Sequence, residues 1–334
     1  MRTLATLLLC LLAYGAFSQE TSRFAKFGKI TADDLRKKVY SIDSGANAVV
    51  LSDIGAAAIE GNSKNWFSIV FTRHRVVHIL NKNGYNKADV EIILYFDGNA
   101  EERLESIKAV TYNLEGDKVI ETKLEKENIF KEKIDKNRLV KKFTMPAVKE
   151  GSIIEFEYKV TSDFITNLDA WAFQGSAPVL WSEYTLSVPE FFSYAFLAHG
   201  YHPVHIADKK NTMNSFTVID ANSTGASDRT RFTAGVTDYR WVMKDVPEIK
   251  PESFSSALKN HISALEFQLS SMNPPLRSQS FRNSWPGLIS SLIESEYFGK
   301  NLNSVNTWMS DEIKPLTAKA SSDLEKAKNI YEYV

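Results

Sequence analysis

Ile154-Glu155-Phe156-Glu157-Tyr158-Lys159-Val160 sets an apolar side chain at every second position with a charged one between. Successive side chains of a strand point to opposite faces, so this stretch predicts a strand with one face turned to a core. The same period recurs around it. Val90, Ile92, Leu94 and Phe96 alternate cleanly, and Phe67, Ile69, Phe71, Val77 and Ile79 share one parity in a longer run. Residues 107–114, 118–122, 184–188, 215–219 and 239–243 are further strand candidates. Turn signals fall between the runs at Asn83-Gly84, Asp97-Gly98, Glu115-Gly116-Asp117 and Glu150-Gly151. Many short strands with brief turns predict a mainly β fold: a large antiparallel β-sandwich-like domain, not a βαβ architecture.

The pattern changes at both ends. Thr31-Ala32-Asp33-Asp34-Leu35 reads as a capped helical turn, and 46–51 as a strand. Between residues 123 and 142 both charge signs are dense, which reads as a solvated loop or edge ribbon. After Pro247, the prolines at 251, 274 and 275 punctuate an extended connection holding one strand at 265–269. A short helical segment then begins. Ser284 caps a helix with Pro286 in its first turn and Leu288, Ile289, Leu292 and Ile293 as its apolar stripe. A second helix carries Val305, Trp308 and Met309. A third starts at a capping box of Ser322 and Glu325, with Leu324, Ala327, Tyr331 and Val334 at three-and-four spacing. The expected organisation is therefore a leader over 1–18, a β-sandwich-like domain over 19–247, the connection over 248–283 and the helical segment over 284–334, whose last helix is expected to continue beyond Val334.

The 334 residues are 43% hydrophobic and 24% charged, which excludes disordered and low-complexity classes. Lys and Arg number 40 against 41 Asp and Glu, for a net charge of −1, so nothing electrostatic points to nucleic acid or an anionic membrane. Met1-Arg2-Thr3, the apolar run from Leu4 to Ala16 and the small residues of Ala16-Phe17-Ser18 form a secretory leader cleaved after Ser18. The expected location is periplasmic or extracellular. No stretch reaches the roughly 20 apolar residues of a spanning helix. The one cysteine, Cys10, lies in the leader, and Leu7-Leu8-Leu9 before it lacks the small residue that lipidation requires. The exported chain would then have no thiol, and so no disulfide, thiolate ligand or cysteine nucleophile.

Histidines supply two spacing patterns. His74 and His78 lie in a strand run, where four residues span about 13 Å, too far for one metal ion. They share the parity of Ser68 and Thr72 and are expected to face solvent. His199, His202 and His205 form an H-x-x-H-x-x-H series that could bind zinc if Gly200 and Pro203 bent the chain. No glutamate nearby is placed as a base, and isolated histidines are the preferred reading. There is no G-x-S-x-G, and Ser227-Asp228 reads as an ordinary turn. No catalytic, cofactor-binding or metal-ligating residue is assigned. Nine aromatics between 171 and 201 make the best candidate for binding. Trp171, Phe173, Gln174, Trp181 and Tyr184 form a candidate ligand surface for peptide, glycan or protein, while the preferred alternative has the aromatics filling the sandwich core.

Several spaced motifs resemble a known family: Phe27-Gly28-Lys29-Ile30, Ala46-Asn47-Ala48-Val49-Val50-Leu51, Arg75 with Ile79-Leu80-Asn81-Lys82-Asn83-Gly84, Trp171-Ala172-Phe173-Gln174 with Pro178-Val179 and Ser182-Glu183-Tyr184, Val246-Pro247 with Glu252, Glu266-Phe267-Gln268-Leu269, and Phe298-Gly299-Lys300. Together they look like Domain of Unknown Function 3857, an extracytoplasmic β-domain common in Bacteroidetes that usually precedes a transglutaminase-like domain. Residues 325–334 are similar to the first helix of such a domain, whose Cys-His-Asp set would lie further on. The resemblance implies a non-catalytic accessory or interaction domain with a transglutaminase-like domain following in cis. The rival readings are part of a cysteine-dependent hydrolase or transferase whose catalytic residues lie beyond Val334, and a histidine-metal hydrolase.

Overall fold

The alternating runs become strands β1 (Ala48–Gly61), β2 (Phe67–Ile79), β3 (Asp89–Tyr95), β4 (Arg103–Glu115), β5 (Lys118–Lys123), β6 (Phe130–Lys133) and β7 (Arg138–Thr144). They continue with β8 (Ile153–Ser162), β9 (Trp171–Ala172), β10 (Val179–Pro189), β11 (Phe192–His199), β12 (Ile206–Ile219), β13 (Arg229–Val246) and β14 (Ala264–Met272). The structure is a computed structural model that describes residues 20–333 except 63–65, 99, 220–228, 251, 254–256, 275, 277, 283, 297 and 304–306. The expectations for the leader with Cys10, for Ser227-Asp228, for Pro251 and Pro275, and for Val305 and Val334 lie outside the described residues.

The fold is mainly β. One sheet has the order β12-β13-β10-β1-β2-β8-β4-β5. Its pairs are antiparallel except β1 with β10, which run parallel in register Gly55 to Tyr184. Two smaller sheets complete the β structure: β3-β7-β6, and one in which β14 pairs with both β11 and β9. The strand expected in the 248–283 connection is thus β14, and the described residues through Gln279 form one compact unit. The charge-dense stretch holds the edge strand β6, every residue of which is exposed, and then enters β7, the middle strand of its sheet, where Leu139 and Val140 are buried.

Both faces of the main sheet are covered. On one face the smaller sheets lean on aromatics. Phe143 of β7 meets Phe156 of β8 edge-on, and Phe267 of β14 stacks on Tyr184 of β10 at 5.4 Å between centroids. On the other face lies the segment 20–46, with helix α1 (Ala32–Arg36) capped reciprocally by Thr31 and Asp34. Its Phe24, Leu35, Tyr40 and Ala46 cluster with Val49, Leu51, Val76, Val110, Tyr112 and Ile153.

This cover corrects the expectation for His74 and His78. Both are buried, His78 fully. The parity of β2 opposite Phe67 and Ile69 looked solvent-facing because its cover is built from residues more than thirty positions upstream in sequence. His74 Nε2 lies 2.8 Å from Glu155 Oε1, and His78 Nδ1 lies 2.8 Å from the Tyr40 hydroxyl. Glu155, itself buried, also accepts from the Tyr112 hydroxyl at 2.7 Å and from the Gly28 N–H at 3.0 Å. A carboxylate taken out of water is costly unless its lone pairs are filled, and three donors or ring partners do that here. The network also fixes the arm 20–46 to the sheet. Burial pushes the His78 imidazole down to about 4.

Residues 280–334 form a second compact unit. Its helices are α2 (Trp285–Glu294), α3 (Gly299–Asn303), α4 (Ser310–Thr317) and α5 (Asp323–Tyr333). Ser284 Oγ accepts from Gly287 N–H at 3.3 Å, and Ser322 Oγ from Glu325 N–H at 3.2 Å, as the capping patterns predict. The Glu325 carboxylate turns back to Ser321 N–H rather than to Ser322. Leu288, Ile289, Leu292 and Ile293 of α2, and Leu324 and Tyr331 of α5, are exposed.

Candidate functional site

The centre of the main sheet is a row of residues paired across five strands: Trp241, Tyr184, Gly55, Arg73 and Tyr158. Gly55 leaves a gap in that row. A Cβ there would fall 2.4 Å from the Trp171 ring, so the indole lies flat on the sheet where the glycine has no side chain. Trp171 stacks on Tyr184 at 5.2 Å on one side and takes the Arg73 guanidinium over its ring at 4.9 Å on the other. Its indole N–H donates to Ser182 Oγ at 3.2 Å.

Arg73 is held by charge. Its Nε donates to Asp53 Oδ1 at 2.8 Å and its Nη2 to Oδ2 at 2.7 Å, while Arg75 Nε approaches the same carboxylate at 3.5 Å. Burial acts against the Asp53 charge, and the two guanidinium groups outweigh it, holding the carboxyl below the usual carboxylate range. Arg75 has the weaker position. Burial lowers it, and Asp53 is shared with Arg73.

Over Arg73 and Tyr158 the structure leaves a cavity of about 480 Å³. Phe71 of β2, Val160 of β8 and Tyr184 of β10 form its floor, Ile92 and Tyr95 of β3 one wall, and residues 167–172 the other. This size and mixed aromatic lining fall in the range of small-molecule sites. Three acids line it: Glu91, Glu102 and Asp169. Glu102 Oε2 accepts from the Tyr95 N–H at 2.8 Å. Asp169 makes no hydrogen bond or ion pair among the described residues. Its side chain is exposed, while the protein packed around it and then the Glu102 charge push its carboxyl up to about 6.

Of the five residues of the expected ligand surface, two reach this cavity. Trp171 and Tyr184 line it, and both are buried. Phe173 is buried edge-on to Trp171. Gln174 is half-buried and joins loops, donating to Pro247 O and accepting from Ser263 N–H. Trp181 is buried in a different place, with its indole N–H on Glu183 Oε2 at 2.9 Å and its ring edge toward His205. The five therefore form no single exposed surface, and Phe191 and Phe192 fill core. Tyr201 of the same segment is 90% exposed.

The histidine series does not converge. His199 is near Glu266, His202 Nε2 is 2.9 Å from Lys244 O, and His205 Nε2 is 2.8 Å from Glu20 Oε2. Among the described residues no group of three His, Cys, Asp or Glu is placed to hold a metal.

The family model described as a "Domain of Unknown Function with solved-structure structure" (DUF3857) matches residues 67–250, more than half of the chain. The chain belongs to the DUF3857 family. The match spans β2 to β13, and so the whole floor of the cavity. Among solved structures, this DUF3857 chain is similar in fold to one from Parabacteroides distasonis described as a "putative protease", at 15% identity and a TM-score of 0.52. The alignment covers 86% of this chain and 50% of that one, so the chain spans about half the length of that structure. A "putative nutrient binding protein" from Legionella pneumophila aligns at 11% identity over 86% of this chain and 80% of that one, with a TM-score of 0.24 that carries no weight. No curated protein matches the sequence.

The residues missed in the sequence were Arg73, Arg75, Asp53 and Asp169. A signal existed for the first two: positions 73 and 75 interrupt the apolar parity of Phe67, Ile69, Phe71, Val77 and Ile79 with charge. Charges on a core-facing parity need partners and mark a site.

Proposed function

We propose that this chain is an exported, non-catalytic binding module that holds a ligand in the cavity between Tyr158, Trp171 and Asp169 and presents it to a transglutaminase-like domain following in cis. The observation that carries the reading is the cavity itself, with the Trp171 ring seated over Gly55 at its edge and the Asp169 carboxylate without a partner among the described residues. Acyl transfer by a transglutaminase-like mechanism needs an activated thiolate, and the one cysteine of this sequence, Cys10, falls in the expected leader. The chemistry is therefore assigned to the following domain. The length ratio to the Parabacteroides structure fits a module that is one part of a larger protein, and its description as a protease fits an amide-directed partner domain. Among the described residues no helix is long and apolar enough to cross a membrane.

A thermal-shift screen of residues 20–334 against short peptides and oligosaccharides tests this. A ligand of the cavity raises the wild-type melting temperature and leaves Asp169→Lys unmoved, since the lysine fills the cavity with the wrong charge. Equal shifts in both proteins, or no shift with either class, would refute the reading.

A further inference from the structure

A second cavity, of about 280 Å³, adjoins the first, and the two meet at Arg73, Tyr158 and Glu91, which line both. Its character is the reverse. Arg75 and Lys87 line it together with Asn86 and Ser176. Neither cation has a carboxylate of its own. Arg75 reaches only the Asp53 group that Arg73 already holds in two hydrogen bonds, at 3.5 Å, and its Nε has no hydrogen-bond partner. Lys87 donates to the neutral Ser176 hydroxyl at 2.6 Å. Burial, followed by the Arg75 charge, lowers Lys87, and the Glu248 charge only partly opposes them. Asp89 also lines this cavity but accepts from the Thr144 hydroxyl at 2.6 Å.

The adjoining cavities thus have opposite needs. One end presents the unpaired Asp169 and the buried Glu102, the other presents Arg75 and Lys87, and aromatic rings lie between. Building on the reading of the cavity as a ligand site, we infer that the ligand is a peptide-class zwitterion, its ammonium group at Asp169 and Glu102 and its carboxylate at Arg75 and Lys87. Asp169 is exposed and Arg75 and Lys87 are half-buried, so a ligand that carries an ammonium and a carboxylate supplies each end with the charge-assisted partner that the described side chains do not give it. A neutral sugar would leave Arg75 and Lys87 uncompensated. The two charges, a free ammonium and a free carboxylate, tie specificity to the two ends of a short peptide.

Calorimetric titration of residues 20–334 with tri- to pentapeptides of alanine and leucine tests this, each with free ends, N-acetylated, C-amidated or blocked at both ends. Chitotriose serves as the neutral sugar. The free peptide of fitting length should bind, each single block should weaken binding at least about tenfold, and Asp169→Asn and Lys87→Ala should match the amine and carboxylate blocks respectively. Asp169 is exposed and Lys87 half-buried, so these variants keep the fold. Equal binding of free and doubly blocked peptides overturns the charge assignment. Binding of chitotriose alone, lost in Asp169→Lys, overturns the peptide class while leaving the cavity as a ligand site. Binding by no probe overturns both.

Discussion

Acid should unfold this protein through His78. The imidazole is fully buried beside Tyr40, and burial lowers it to about 4 from an ordinary value of 6.5. In the unfolded chain His78 takes a proton as pH falls through 6.5, whereas the folded chain resists until about 4. Between those values the unfolded state binds more protons, so stability falls with pH; the contribution is complete above 6.5 and lost below about 4. A shift of this size corresponds to about 3 kcal/mol, a large share of a domain's stability. Urea unfolding followed by tryptophan fluorescence at pH 7.5, 6, 5 and 4 would measure it, with His78→Asn as reference. Asparagine leaves an acceptor close to the position of Nδ1 and has no titrating group. Wild type should lose about 3 kcal/mol more than the variant over this range. Parallel pH profiles, or a His78 ring titrating near 6.5 by NMR, would refute the burial of this face.

Three further outcomes are expected. Gly55→Val drives a side chain into the Trp171 ring and should cost about 2 kcal/mol, with a changed near-ultraviolet dichroism signal; an unchanged urea midpoint would contradict the placement of the indole. Glu155→Ala strands the Gly28 N–H, the Tyr112 hydroxyl and His74, and should cost about 3 kcal/mol and open the arm 20–46 to limited proteolysis; wild-type protease resistance would contradict the tether. Mass spectrometry of protein recovered from the native cell envelope should find the amino terminus at Gln19, and an intact Met1 would contradict export.

The strands were legible because alternation is a local signal. Ile154 to Val160 and Val90 to Phe96 read correctly since their own period states which face is apolar, and the helix caps at Thr31, Ser284 and Ser322 are equally local. What covers a face is not local. His74 and His78 read as solvent-facing because Tyr40 and Phe27, their cover, are separated from them by a strand and a loop. The cavity was harder still. Trp171 earns its place through Gly55, more than a hundred residues earlier, and the Gly55-to-Tyr184 pairing is the one parallel pair in the sheet, which periodicity cannot announce. Asp169 carries no pattern at all; its character comes from what the fold leaves around it. Trp171 and Tyr184 were legible as part of an aromatic-rich segment, and Arg73 and Arg75, charged residues on an apolar parity, carried a signal that could have been read.

The central claim is that the space bounded by Trp171, Tyr158 and Asp169 is where this domain holds its ligand. A crystal structure of residues 20–334 with the peptide or sugar that most raises the melting temperature tests it directly. The account predicts that molecule between the Trp171 ring and the Asp169 carboxylate, with Arg73 still paired to Asp53. Ligand bound elsewhere, as against the exposed Tyr201, with the cavity empty, would contradict it.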